Sequence, residues 1–163
     1  MRTGLVLPEK LAKQIDCILV ELYRKTGAGC VLLADITGQL IGAEGQVQNI
    51  DPVLVSALAA GDVAAMAELT RQIGEESPHG SFLHEGEKKS VYLFNVADSF
   101  ILIVIFQADT PVGLMRLFVR RAAERLHPLT AEFEDLMGSP RQVANTAFST
   151  TLAHELDSIF EGL

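Results

Sequence analysis

SALAAGDVAAMAELTRQIGEE, residues Ser56–Glu76, reads as a helix with hardly a charge before its last turns; only Asp62 precedes Glu68 and Arg71. A helix that packs once, against its own core, needs a single apolar stripe, so one left uncharged on two sides calls for two packing partners. Stepping successive residues by about 100° gathers Leu54, Leu58, Ala65, Met66, Leu69 and Ile73 on one side, where bulky side chains suit packing on a sheet. Ala57, Ala60, Ala64, Ala67 and Arg71 fall on roughly the opposite side, spaced alternately by threes and fours like a seam between helices. Small side chains there let another backbone come close. The plainer reading is an exposed surface built from the best helix former. Against it, an exposed helix normally displays many lysines and glutamates. The expectation is a bulky face turned to the body of the protein and a small-residue face offered to a neighbour.

This helix separates two groups of strands. Before it, Leu11, Ile15, Ile18, Leu19 and Leu22 recur at helical spacing between Pro8 and Tyr23, and Gly27 supplies a stop. GCVLLAD and QLIGA flank the turn letters DITG and predict a hairpin. Asp51 is placed as an N-cap and Pro52 as the first helical residue, so the central helix runs from there to about Ile73. After it come SFLHE, KSVYLFNV and SFILIVIF, the last with the look of a sheet centre. Thr110 and Pro111 repeat the cap-then-proline device, opening a third helix that reaches Gly138 and that Pro128 is predicted to kink or interrupt. The order is α-β-β-α-β-β-β-α. Short links favour antiparallel pairing in an α+β fold, with the central helix crossing the sheet between hairpin and meander. SPRQVANTAFST reads as a mobile linker, and Phe148, Leu152, Leu156, Ile159 and Phe160 as one side of a terminal helix. One domain over residues 5–138 and an appendage over 139–163 are therefore expected.

The chain has 163 residues, 48% hydrophobic and 21% charged, too apolar for a disordered protein. Its net charge of −8 would repel a phosphate backbone or an anionic bilayer, so neither nucleic acid nor membrane is an expected partner. FILIVIF, Phe100–Phe106, is far shorter than the roughly 20 residues a helix needs to cross a bilayer. The N-terminal MRTGLVLPEKL has neither a sustained apolar core nor a cleavage site, which predicts a cytoplasmic protein. Cys17 and Cys30 read as small buried thiols.

Chemistry-bearing patterns are missing. No GxxxxGK[ST] loop is present to cradle phosphates, and the glycines of GAGCVLLAD precede a strand instead of joining strand to helix. His79, His84, His127 and His154 are scattered without metal-ligand spacing, and HEGE (His84–Glu87) reads as a hairpin end. Arg116, Arg120, Arg121 and Arg125 lie on helix three. An inserted arginine can stabilise phosphoryl transfer, but a solvated face pairing with the many acids is the simpler reading. No active site, metal or cofactor is expected.

Taken in order, GCVLLADITGQLIGAEGQVQNID, SALAAGDVAAMAELTRQIGEE, FLHEGEKKSVY and ILIVIFQADTPVGLMRL resemble the Roadblock/dynein light-chain family, and within it the MglB group of bacterial GTPase-activating proteins. The resemblance implies a Roadblock/profilin-like five-stranded antiparallel sheet, with helix two on one face and helices one and three on the other. It further implies a homodimer whose central helices lie side by side, bound by one small Ras-like GTPase of the MglA type. Acceleration would come from repositioning the GTPase's own catalytic residues, in cell polarity or motility. The partner surface it implies comprises Ala57, Ala60, Ala64, Ala67, Glu68 and Arg71, and the terminal helix is similar to one that touches the GTPase in some relatives. Two other readings stay open: a Roadblock scaffold that binds without changing any rate, and a small-molecule sensor.

Overall fold

The computed structural model describes residues 5–76 and 80–138. Its elements are α1 (Glu9–Thr26), β1 (Cys30–Asp35), β2 (Leu40–Gly45), α2 (Pro52–Gln72), β3 (Ser81–Glu85), β4 (Lys89–Val96), β5 (Phe100–Gln107) and α3 (Val112–Met137). The chain divides into two units, residues 1–130 and 131–163. The first holds everything from α1 to the Thr130 turn of α3. The expected linker and terminal helix, with Phe148, Leu152, Leu156, Ile159 and Phe160, lie outside the described residues.

The helix ends follow from local chemistry. Gly27 takes φ 63° and donates its N–H to the Tyr23 carbonyl at 3.1 Å, closing α1 in a left-handed cap. The Asp51 carboxylate accepts from the N–H groups of Val53 and Leu54, both at 3.1 Å, and Pro52 occupies the first turn of α2. α3 runs on through Pro128, so the expected interruption does not occur. Thr130 Oγ1 donates to the His127 carbonyl at 2.7 Å and supplies a local bond in the turn that proline disturbs.

All strand pairs are antiparallel, in the order β2-β1-β5-β4-β3. β5 is central, as its apolar run predicts, and α2 carries the chain from one edge of the sheet to the other. Two cross-strand rows define the faces. Gly42, Leu33, Leu102, Phe94 and Ser81 are successive partners across the sheet. A Cβ on Gly42 would strike Leu19 of α1, and Phe94 and Ser81 line a cleft with Arg120 and Ala123 of α3, so α1 and α3 share this face. The neighbouring row, with Leu32, Ile103 and Leu93, joins Ala59, Ala60 and Val63 of α2 in a second core on the opposite face.

The turns complete the frame. Asp35, buried at the β1–β2 turn, accepts from the Thr37 N–H (2.9 Å), Thr37 Oγ1 (2.7 Å) and the Gln39 N–H (2.9 Å). Between β4 and β5, Ala97 and Asp98 take φ 53° and 55°, both left-handed, as a tight hairpin turn demands. Asn95 embraces that turn: its Nδ2 donates to Asp98 Oδ1 at 2.8 Å and its Oδ1 accepts from the Asp98 N–H at 3.0 Å.

Candidate functional site: the outward face of α2

α2 meets the sheet through Ser56, Ala59, Ala60 and Val63, all buried. This reverses the expectation drawn from side-chain bulk. Leu54, Leu58, Leu69 and Ile73, assigned to the core by size, are 54%, 62%, 53% and 70% exposed; Ala65 is exposed and Met66 half-buried. Ala60, expected to face a partner, is only 9% exposed and belongs to the core.

The cause is close approach. The sheet face beneath α2 already supplies Leu32, Leu93, Ile101 and Ile103, so small helix residues complete the layer at normal density. Gly38 of the β1–β2 turn presses still nearer: a Cβ there would lie 2.9 Å from Ala57 Cα and 3.1 Å from Ala60 Cβ. Ser56 is fully buried, and its Oγ has no hydrogen-bond partner among the described residues.

Two stripes remain uncovered on α2. One carries Ala57, Ala64, Ala67, Glu68 and Arg71, all exposed. The other is the bulky stripe of Leu54, Leu58 and Leu69, continued by Ile73 just beyond the helix. Fully burying such a side chain gains about 1.5–3 kcal/mol, so covering these four half-exposed residues is worth on the order of 4 kcal/mol.

Its C-terminal end is polar and fixed. Arg71 donates from Nε to Glu68 Oε2 (2.9 Å) and from Nη2 to Oε1 (2.6 Å), and Gln72 Nε2 adds a third bond to Oε1 (2.7 Å). The Arg71 bonds, then that of Gln72, pull the Glu68 carboxyl down to about 2, and Glu68 raises the Arg71 guanidinium in turn. The seam thus ends in a preorganised ion pair.

α2 is also the one helix among the described residues long and apolar enough to cross a bilayer, with mean hydropathy 1.5. To do so it would have to leave the sheet and strip Ser56, Ala59, Ala60 and Val63 from their packing. At the far end of its path lies β3, whose outer edge has no partner strand among the described residues.

The other residues singled out by sequence sit apart from this surface. Among the described residues no three His, Cys, Asp or Glu side chains gather as metal ligands. His84 and Glu85 end β3, next to the turn into β4. The four arginines of α3 lie on the side of the sheet opposite α2. Cys17 is exposed on α1, not buried as expected, because its position falls off the Leu11–Ile15–Leu22 stripe; Cys30 is buried, and desolvation pushes its thiol up to about 11.

Known proteins share this arrangement. The Roadblock/LC7 domain model matches residues 14–106. The Myxococcus xanthus MglB structure superposes with a TM-score of 0.71 at 38% identity, over 78% of this chain and 96% of that one. The gliding protein MglB from Thermus thermophilus gives 0.68 at 26% identity, over 81% and 99%. MglB in a tetrameric arrangement gives 0.69 at 26% identity, over 81% and 98%. The family model spans α1 from its second turn through all five strands, the same elements that place α2 across the sheet, and on this ground the chain belongs to the Roadblock/LC7 domain family.

Proposed function

We propose that this protein is a homodimeric regulator of a small Ras-like GTPase of the MglA type, accelerating hydrolysis by holding the GTPase's own catalytic residues in position. It acts in the cytoplasm, in bacterial cell polarity or motility. The observation that carries this reading is the uncovered double stripe of α2, whose Leu54, Leu58, Leu69 and Ile73 are each more than half exposed. A second copy brought against β3 and the bulky stripe covers the leucines. The GTPase takes the paired small-residue stripes with Ala57, Ala64, Ala67, Glu68 and Arg71. The likeness to MglB, including a form with a tetrameric arrangement, supports both self-association and the choice of partner. No arginine of α3 is required, since those residues lie on the other side of the sheet.

Single-turnover GTP hydrolysis by the cognate GTPase, with and without this protein, is the test. Acceleration is expected in the presence of the protein, and Ala64→Arg removes it, because a long cation cannot enter a seam of small residues without clash and desolvation. Tight binding with an unchanged hydrolysis rate would reduce the protein to a scaffold.

A further inference from the structure

The cross-strand row that α1 and α3 cover runs Gly42, Leu33, Leu102, Phe94 and Ser81. It ends on β3 in a serine, whose short side chain leaves the flank of α3 without a bulky partner. A cleft of about 520 Å³ opens there, within the range of about 300–1,000 Å³ that small-molecule sites occupy. Buried Phe94 and Ala123 form its floor, and Ser81, Arg120, Glu124, His127 and Pro128 stand around it. All of these residues belong to the unit formed by residues 1–130.

Two opposite charges in this cleft are unused. Arg120 and Glu124 lie one turn apart on α3, yet they form no ion pair with each other or with any other of the described residues, so the expected pairing of this helix with the protein's own acids is unmade here. Pro128 adds a backbone acceptor. It has no N–H to donate to the Glu124 carbonyl one turn back, and its ring crowds that group. The part of the cleft between Glu124 and Pro128 therefore offers a carboxylate and a carbonyl, whereas the Arg120 end offers N–H donors in a planar fork. A simple anion meets Glu124 and a simple cation meets Arg120; a ligand that carries both charges close together satisfies each.

We propose that this cleft binds a free α-amino acid with an aromatic or branched apolar side chain. Its carboxylate takes the Arg120 guanidinium, and its ammonium takes the Glu124 carboxylate together with the carbonyl that Pro128 leaves undonated. The side chain lies on Phe94 and Ala123, where an aromatic ring gains from stacking as well as from leaving water. The Ser81 hydroxyl, which can donate or accept, closes the outer side. Because the cleft is on the sheet face opposite α2, the proposal does not depend on the role of α2, and an occupied cleft leaves that surface free.

The test titrates the full chain with L-phenylalanine, with phenylpropionate, which lacks the ammonium, and with phenethylamine, which lacks the carboxylate. Amide chemical-shift changes on the unmodified protein should centre on Ser81, Phe94 and the stretch of α3 from Arg120 to His127. L-phenylalanine should bind at least about fivefold more tightly than either analogue, and L-leucine should compete with it. Arg120→Gln should bring L-phenylalanine down to the level of phenethylamine without weakening phenethylamine itself. Glu124→Gln should bring it down to the level of phenylpropionate without weakening phenylpropionate. Both side chains are exposed, so both variants should keep the wild-type melting temperature. No shift change at millimolar L-phenylalanine, equal binding of the three compounds, or changes centred on α1 or α2 would overturn the assignment. So would a longer apolar peptide that displaces L-phenylalanine and is blind to both substitutions, since the cleft would then be a peptide groove.

Discussion

Gly38 stands so close to Ala57 that a Cβ added at position 38 would lie 2.9 Å from the Ala57 Cα, backbone against backbone. The β1–β2 turn is thereby wedged against the first half of α2, and its φ of 92° is one that L side chains rarely adopt. Gly38→Ala should therefore lower stability by about 2–4 kcal/mol, combining clash with backbone strain. Urea denaturation measures it. A loss below about 1 kcal/mol would mean that α2 can shift aside.

Ser56 gives the opposite sign. A fully buried hydroxyl without a partner costs about 1–3 kcal/mol, and alanine is also the better helix former. Ser56→Ala should raise the unfolding free energy by about 1–2 kcal/mol. A destabilised variant would show that the hydroxyl is satisfied in solution.

The exposed leucines should matter to assembly and not to the fold of the single chain. Leu58→Asp with Leu69→Asp is expected to leave secondary structure intact, since both residues point away from the sheet. It should weaken self-association by more than about tenfold, because an unpaired carboxylate is expensive at the centre of an apolar contact. Sedimentation velocity reads this directly; undiminished dimerisation would place the interface elsewhere.

Glu68 predicts a pH dependence. Its folded-state value of about 2 lies below the ordinary 4.5, so its contribution is present above about 4.5 and disappears as pH falls through about 2. Wild type should therefore melt above Glu68→Gln at neutral pH, and the two should converge between those limits. The gap will be small because the pair is exposed to solvent. A gap that widens toward acid would contradict the linkage.

Ala97 occupies a left-handed position that costs an L residue about 1–2 kcal/mol and that asparagine tolerates better. Ala97→Asn should stabilise the β4–β5 hairpin by about 0.5–1 kcal/mol, visible as a raised thermal midpoint. No gain would show that the Asn95–Asp98 bonds already absorb the strain.

The element order can be read from local signals, because each end is marked by its own chemistry: Gly27 stops α1, Asp51 and Pro52 start α2, and the run from Phe100 to Phe106 announces the central strand. The orientation of α2 cannot. Its residues are apolar almost all round, so bulk is the remaining guide, and bulk misleads when the sheet beneath already carries Leu32, Ile101 and Ile103. Which stripe packs is decided by strands far away in sequence and by the approach of Gly38, neither of which leaves a periodic trace within Ser56–Glu76. For the same reason Ala57, Ala64, Ala67, Glu68 and Arg71 are legible as surface residues, whereas periodicity misassigns Ala60 and overlooks the leucines beside them. The left-handed Ala97 and Asp98 are legible only as a polar turn, since neither residue advertises a positive φ as glycine would.

The sheet order also governs how the chain acquires its shape. β1 finds its central neighbour only when residue 102 comes to lie beside residue 33, after α2 and two further strands have been made. During synthesis the greasy helix therefore emerges after β1 and β2 but before Leu93, Ile101 and Ile103 of β4 and β5, which complete the layer under its inner side, and pairing over such sequence distances is slow. A nascent molecule thus has the inner side of α2 only partly covered until β4 and β5 are in place, and its outer leucines stay wet throughout.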